Sequence, residues 1–349
     1  MRPATLGMFS LVLLAAVSGS CSPPPVTLPS ATYKSVQGPY AVGQEVRTWY
    51  DARRRRDVPV RIYLPEAVGE IFPVIIFSHG LGASRDEYAY LGEHWASCGY
   101  VCVHLTHLGT DYSAIFADGQ VVANLLEFAD DPYWRTERPA DVSFALDQLA
   151  DHYLFGRLVD MERVGVAGHS LGAYTALAVI GLRVDLPGQL ATQFIDPRIK
   201  AAVAMSPPGQ GALGLRDDAW ADLRVPCLSM IGTRDWDPAT ADPLSRRIVF
   251  TQSEGPDQFL LTLDAATHGT FTDSHISPTD RLSHERYYQY VQMVGTAFFD
   301  AYLKGDPAAQ EWLLSDAALL PDGSCRLEWK NVTPLAQAPR AQGFSEDPP

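Results

Sequence analysis

Short apolar runs alternate with longer helix-like segments from residue 72 to residue 303, and this alternation limits the possible folds more than any other feature. The run from Phe72 to Phe77 is apolar almost throughout, which is typical of a strand covered on both faces of a parallel sheet. The pattern predicts strands at 45–50, 58–63, 72–77, 100–105, 163–167, 201–205, 225–231 and 259–263, and helices at 85–97, 140–152, 171–182 and 284–303. This order predicts a doubly wound, mostly parallel α/β sheet with helices on both faces.

Composition and charge exclude several classes of protein. The 349 residues are 46% hydrophobic and only 19% charged, which is enough apolar material for a large core. The net charge of −14 argues against a nucleic-acid partner, because neutralising phosphates requires clustered Lys and Arg. The one dense basic run, Arg53 to Arg56, is flanked by Asp51 and Asp57 and is predicted to be a solvated hairpin turn.

The N-terminus has the features of an export signal. Arg2 precedes an apolar stretch from Leu6 to Val17 that is short for a membrane span, and small residues lead to Cys21. The sequence before Cys21 resembles a bacterial lipobox, with Ser18 where an aliphatic residue is usual. We expect an exported protein that is periplasmic, extracellular or membrane-anchored, and lipidation at Cys21 and simple cleavage both remain open.

The segment from Val164 to Ala173 is an apolar strand that runs through G-x-S-x-G into an alanine-rich helix. This is the context of a nucleophile elbow, a strained turn that exposes a serine at a helix N-terminus. Gly168 and Gly172 remove side chains that would clash around such a turn. The pattern predicts that Ser170 is a catalytic nucleophile.

A serine hydroxyl needs a general base, which follows the nucleophile and the acid in the chain order of this fold. His268 comes directly after the last predicted strand and is therefore the predicted base. His275 and His284 are competitors that lie farther from the strand end.

The base in turn needs a carboxylate that orients it. Asp235 follows the strand predicted at 225–231 and is the first choice. Asp237 is the main rival, because two residues are within the uncertainty of a loop, and Asp264 is predicted to lie in a strand end. An oxyanion hole would come from the backbone N–H groups of Leu81, in a glycine-containing loop, and Leu171.

The remaining histidines and cysteines are predicted to be structural. His79 precedes the nucleophile at a different strand end, which favours a structural hydrogen bond, and His104 with His107 lacks a third ligand for a metal. We therefore predict no metal and no cofactor. Cys102 and Cys227 lie in apolar strands and are predicted to be core thiols, whereas the disulfide state of Cys98 and Cys325 stays open.

Three stretches resemble a known family: Gly168 to Gly172, Ser78 to Ser84 and Arg138 to Val142. They are similar to the dienelactone-hydrolase-like and platelet-activating-factor-acetylhydrolase-like branch of the α/β-hydrolases, over about Gly38 to Leu314. The resemblance implies an α/β-hydrolase fold and a serine esterase. Dienelactone hydrolases themselves use a cysteine nucleophile, so Ser170 departs from that pattern.

Cutinase-type polyester hydrolases are similar at Gly38 to Tyr40 and at the elbow, but they carry Met where this chain has Leu171. The insertion at 111–137 is a second difference, and it is aromatic enough to be either a cap over the pocket or an ordinary packing segment. Phe116, Trp134 and Trp236 are the predicted pocket residues.

These features predict the following organisation: a signal peptide at 1–21, a Pro-rich tether at 22–39, an α/β-hydrolase catalytic domain at 40–316 and a C-terminal extension at 317–349. The predicted activity is hydrolysis of a small-molecule, lipid or polymer ester through an acyl-enzyme, with membrane contact only through a lipid anchor at Cys21. Two alternatives remain: an acyltransferase with the same residues, and a non-catalytic surface-binding lipoprotein.

Overall fold

The computed structural model describes Tyr33 and residues 37–116, 119–121, 123–124, 128, 131–211, 213, 215–236, 242–273, 281–315 and 324–335. Its main sheet has nine strands in the order β1-β2-β4-β3-β5-β8-β9-β10-β11, and β6 and β7 form a separate small hairpin. The strands are β1 Val42–Asp51, β2 Arg56–Pro65, β3 Phe72–Ser78, β4 Val101–Leu105, β5 Val159–His169, β6 Val184–Leu186, β7 Gln189–Thr192, β8 Ile199–Met205, β9 Cys227–Arg234, β10 Gln258–Thr267 and β11 Cys325–Lys330.

The six neighbouring strands from β4 to β10 run parallel, while β1, β2 and β11 pair antiparallel at the two edges. The helices are α1 Ala89–Ser97, α2 Tyr112–Phe116, α3 Tyr133–Asp151, α4 Leu171–Ala178, α5 Ile248–Gln252, α6 Arg281–Leu303 and α7 Pro307–Leu314. Short 3-10 turns occupy Phe155–Arg157, Pro243–Arg247 and His268–Phe271.

Two cores lie on opposite faces of the sheet because successive strand residues point in opposite directions. In β3, Val74 and Ile76 contact the core formed with α3 and α4, whereas Ile75 and Phe77 contact the core formed with α1 and α6. All four side chains are fully buried. This arrangement confirms the predicted doubly wound α/β sheet. The protein has the α/β-hydrolase fold.

Helix α3 begins at Tyr133, seven residues before the predicted start at Ala140, and it runs through Pro139. Proline has no N–H to donate to the carbonyl four residues earlier, so a proline inside a helix leaves that carbonyl without its intrahelical bond. That carbonyl, on Arg135, instead accepts a hydrogen bond from the Tyr174 hydroxyl at 3.1 Å. A tertiary contact therefore compensates for the missing intrahelical bond.

The C-terminal segment 317–349 is more than the predicted extension, because part of it completes the main sheet. Strand β11 pairs with β10 in the register Leu261 to Leu327 and buries Cys325 and Leu327 in the core. The main sheet therefore continues beyond the boundary predicted at residue 316. Only two side chains of this strand are buried, so its apolar pattern was too short to be recognised.

The cysteine predictions for Cys102 and Cys227 are confirmed, since both are buried free thiols. Cys98 and Cys325 are buried as well. Within the described ranges, no helix combines the length and the apolar character needed to cross a membrane.

The basic turn is not simply solvated, which corrects the sequence interpretation. Arg54 and Arg56 reach across to α3, where both contact the carboxylates of Glu137 and Asp141. The Asp141 side chain is fully buried and also accepts a hydrogen bond from His107 Nδ1 at 2.9 Å. These contacts anchor the β1–β2 hairpin to the helix.

We expect Asp141→Ala to lower the free energy of unfolding by about 3 kcal/mol or more, because it removes the fully buried carboxylate that Arg54, Arg56 and His107 share. Asp86→Ala is the control: Asp86 pairs with Arg61 at the surface, with 57% of its side chain exposed. Loss of that pair should cost no more than about 1 kcal/mol in the same denaturant titration. Equal losses in both variants would show that the buried cluster does not hold the hairpin.

Candidate active site

Ser170 occupies the turn between β5 and α4 with φ 58° and ψ −118°, a conformation that L-residues rarely adopt. A Cβ added to Gly168 would lie 2.2 Å from the carbonyl oxygen of Gly172, and one added to Gly172 would lie 1.9 Å from that of Ser78. Neither position can carry a side chain without movement of the backbone. The glycine pattern recognised in the sequence thus brings α4 against the end of β3.

The structure brings Ser170, His268 and Asp235 together from three strand ends. Ser170 Oγ lies 2.8 Å from His268 Nε2, and His268 Nδ1 lies 3.0 Å from Asp235 Oδ1. Asp235 follows β9 directly and is fully buried. With Nδ1–H donating to the carboxylate, Nε2 is free to accept the serine proton.

The competing residues are placed differently. Asp237 and His275 lie outside the described residues, and His284 lies in the first turn of α6. Asp264 is within β10, as its sequence suggested, and its carboxylate accepts a hydrogen bond from the Thr233 hydroxyl at 3.0 Å.

Two residues that the sequence did not single out hold the Asp235 carboxylate. Arg246 Nε lies 3.0 Å from Oδ1, and the Ser206 hydroxyl donates to Oδ2. Burial opposes ionisation of this carboxyl, but the His268 and Ser206 hydrogen bonds and the Arg246 charge outweigh it, so the pKa of Asp235 is lowered. The Asp235 carboxylate is therefore held in its ionised form.

A further pair, His169 and Tyr88, supports the His268 turn. His169 Nε2 donates to the His268 carbonyl at 3.0 Å, and His169 Nδ1 accepts from the Tyr88 hydroxyl at 2.9 Å. Burial, followed by the nearby His268, lowers the pKa of His169 well below its usual value, so its ring is neutral. Only tertiary structure brings these side chains to His268, so spacing along the chain gave no signal for them.

The N–H groups of Leu81 and Leu171 make no hydrogen bond within the described part of the chain. Leu171 begins α4, and Leu81 follows β3 and lines the cavity beside Ser170. Two unpaired backbone N–H groups beside Ser170 are able to donate hydrogen bonds to a negatively charged oxygen.

The cavity above Ser170 has a volume of about 640 Å³ and is lined in part by Tyr112 and Phe116 from the insertion. Phe116 fits the pocket prediction, and its ring lies so close to Gly82 that a Cβ there would come within 2.4 Å of it. Trp134 is instead buried in the core against Phe128 and Tyr174. Trp236 is 57% exposed and is not among the residues that line the cavity.

The other histidines have partners within the protein. His107 donates to Asp141 and accepts from the Ser78 hydroxyl at 2.9 Å, and His104 Nδ1 donates to the Glu87 carbonyl at 3.2 Å. Burial lowers the pKa of His104 to about 3. Among the described residues, no three His, Cys, Asp or Glu side chains group in a way that could hold a metal.

The fold and this arrangement define an α/β-hydrolase-fold protein with a serine at its nucleophile elbow. The family model described as platelet-activating factor acetylhydrolase, isoform II, matches residues 57–123. Platelet-activating factor acetylhydrolase from Cavia porcellus is 39% identical over 59 residues, which are 17% of this chain and 14% of that relative. These matches support the resemblance to the platelet-activating-factor-acetylhydrolase-like branch of the α/β-hydrolases. The family match includes the Leu81 loop and ends before Ser170.

Replacing Arg246 should change how the reactivity of Ser170 depends on pH. Arg246→Gln removes the positive charge beside Asp235, so the Asp235 carboxyl is protonated at higher pH. The rise in Ser170 reactivity on the acidic side of the pH profile should therefore shift to higher pH. The measurement is the rate of fluorophosphonate labelling of Ser170 as a function of pH, from about pH 5 to about pH 9.

Arg247→Gln is the matched control, because Arg247 pairs with Glu328 at 2.8 Å instead of with Asp235. Its pH profile should coincide with that of the unaltered protein. A profile for Arg246→Gln that is scaled down but not displaced would contradict an electrostatic role for Arg246.

Proposed function

We propose that this protein is a serine hydrolase that cleaves carboxylic esters in two steps. His268 takes the Ser170 proton as Oγ attacks the ester carbonyl, and Asp235 orients and stabilises the resulting imidazolium. The Leu81 and Leu171 amides donate to the oxyanion, and His268 then protonates the leaving alcohol. In the second step His268 activates a water molecule, which releases the acid and restores Ser170.

The observation that carries this proposal is the pair of hydrogen bonds from Ser170 through His268 to Asp235, at 2.8 and 3.0 Å. A serine that was only structural would not need a base on its hydroxyl and a buried carboxylate behind that base. The acetylhydrolase name of the relative makes acetyl esters the first substrates to test. An apolar acyl group would contact Tyr112 and Phe116, which line the cavity.

Ser170→Ala should reduce hydrolysis of nitrophenyl acetate by about 10⁴-fold or more, because the variant cannot form an acyl-enzyme. A nitrophenyl ester series from acetate upward should also show an optimum that sizes the cavity in the unaltered protein. Steady-state rates and the mass of a trapped acyl-enzyme are the measurements.

Ser143→Ala is the control, since Ser143 lies on α3 at a separate surface groove. Activity that survives in Ser170→Ala would overturn the assigned nucleophile. Faster release of product in the presence of added alcohol, with transfer of the acyl group to it, would instead identify an acyltransferase. A folded protein that neither hydrolyses esters nor reacts with fluorophosphonate would favour a binding role.

We propose that the chain is exported, on the basis of the apolar N-terminal stretch and the lipobox-like residues before Cys21. The intact mass of the protein recovered from a bacterial host should show loss of the first residues. A mass increased by a diacylglycerol and a fatty acyl group identifies the lipid anchor, an unmodified shortened chain identifies free secretion, and an uncleaved chain would refute export.

A further inference from the structure

The His79 ring hydrogen bonds to backbone groups of two different loops. Its Nδ1 lies 2.6 Å from the carbonyl oxygen of Gly80, and its Nε2 accepts a hydrogen bond from the backbone N–H of His107 at 2.9 Å. A carbonyl can only accept and an amide N–H can only donate, so both contacts require a neutral ring with its proton on Nδ1. Burial, followed by the charges of Arg138 and His107, lowers the pKa of His79 well below its usual value and keeps it neutral.

The Gly80 carbonyl belongs to the same peptide group as the Leu81 N–H. This peptide is trans, so its N–H points away from the carbonyl and from the His79 ring. A Cβ added to Gly80 would lie 3.4 Å from Ser170 Cβ, which places the peptide group next to the nucleophile. The carbonyl also accepts a longer hydrogen bond from Ala83 N–H at 3.3 Å.

A hydrogen bond to a carbonyl has two effects on its peptide group. It fixes the orientation of the peptide plane, and it polarises the amide so that the N–H becomes a stronger donor. The preceding peptide is fixed as well, because the guanidinium of Arg138, which is 1% exposed, donates to the His79 carbonyl. Arg138 also donates to Thr110 and Thr175 at 2.6 and 2.9 Å, which ties this loop to α4.

We propose that His79 is a positioning residue for the oxyanion site: its Nδ1–H holds the Gly80 carbonyl so that the Leu81 N–H is aimed at the developing oxyanion. His79 itself is buried and is not among the residues that line the cavity beside Ser170. The inference rests on the proposed function of Ser170, and it adds a role for a histidine that the sequence indicated only as structural.

Two substitutions, His79→Asn and His79→Gln, test the roles of the two ring nitrogens separately. The side-chain amide of Asn lies near the position of Nδ1, so His79→Asn can still donate to the Gly80 carbonyl, whereas the longer Gln places its amide near Nε2. We expect His79→Gln to lower kcat for nitrophenyl acetate by about 100-fold, the typical effect of losing one oxyanion donor, with little change in KM. His79→Asn should stay within about tenfold of the unaltered protein.

A trifluoromethyl ketone, which forms an oxyanion on Ser170, should bind more weakly to His79→Gln in proportion to the loss of kcat/KM. The matched control is His94→Gln, which alters a buried histidine that contacts Thr296 at 3.1 Å. Its kcat should be unchanged. Equal losses in the Asn and Gln variants, a loss confined to KM, or unimpaired ketone binding would overturn the proposal.

A spectroscopic measurement keeps the proposal testable if His79→Gln does not fold. In the unaltered protein with ¹⁵N-labelled histidine, the His79 signal, assigned by its absence in His79→Asn, should show the Nδ1–H tautomer at neutral pH. A ring protonated on Nε2 would overturn the proposal. This readout does not depend on activity, so it is distinct from the Ser170→Ala test of the proposed function.

Discussion

Helix α4 begins so close to the end of β3 that no side chain fits between the two backbones at Gly172, where an added Cβ would lie 1.9 Å from the Ser78 carbonyl oxygen. This contact places the backbone amide of Leu171 next to the loop that follows β3. Both proposed oxyanion donors, Leu81 and Leu171, depend on it. The parallel strands then bring His268 and Asp235 to the same edge of the sheet, because the loops after parallel strands all leave at their carboxyl ends.

Behind the β3 loop, polar groups are buried in a connected cluster. Asp141 binds Arg54, Arg56 and His107, and His107 in turn contacts both Ser78 and His79. Burying charges costs desolvation free energy that ion pairs only partly offset, so such a cluster is weak evidence for stability. Its hydrogen bonds are directional, however, and they define one arrangement of the loop beside Ser170.

The acid side of the site shows the same use of buried polar groups. Arg246 contacts the Asp235 carboxylate and donates to the carbonyls of Ser206, Pro207 and Trp236. One guanidinium thus contacts the Asp235 carboxylate together with the backbone of the loops that follow β8 and β9. The site is open above Ser170, where Tyr112 and Phe116 give the cavity an aromatic wall.

The sequence by itself determined the alternation of strands and helices, the elbow at Ser170, and the choice of His268 and Asp235 from their positions after strands. These features depend on local periodicity, on glycines around a strained turn and on chain order, all of which a single sequence contains. Only the tertiary structure decided that Trp134 packs in the core while Phe116 reaches the cavity, that β11 completes the sheet, and that Arg246 contacts Asp235 and His79 contacts the Gly80 carbonyl. Those outcomes depend on contacts between residues far apart in the chain, and no spacing rule encodes which distant side chains will meet.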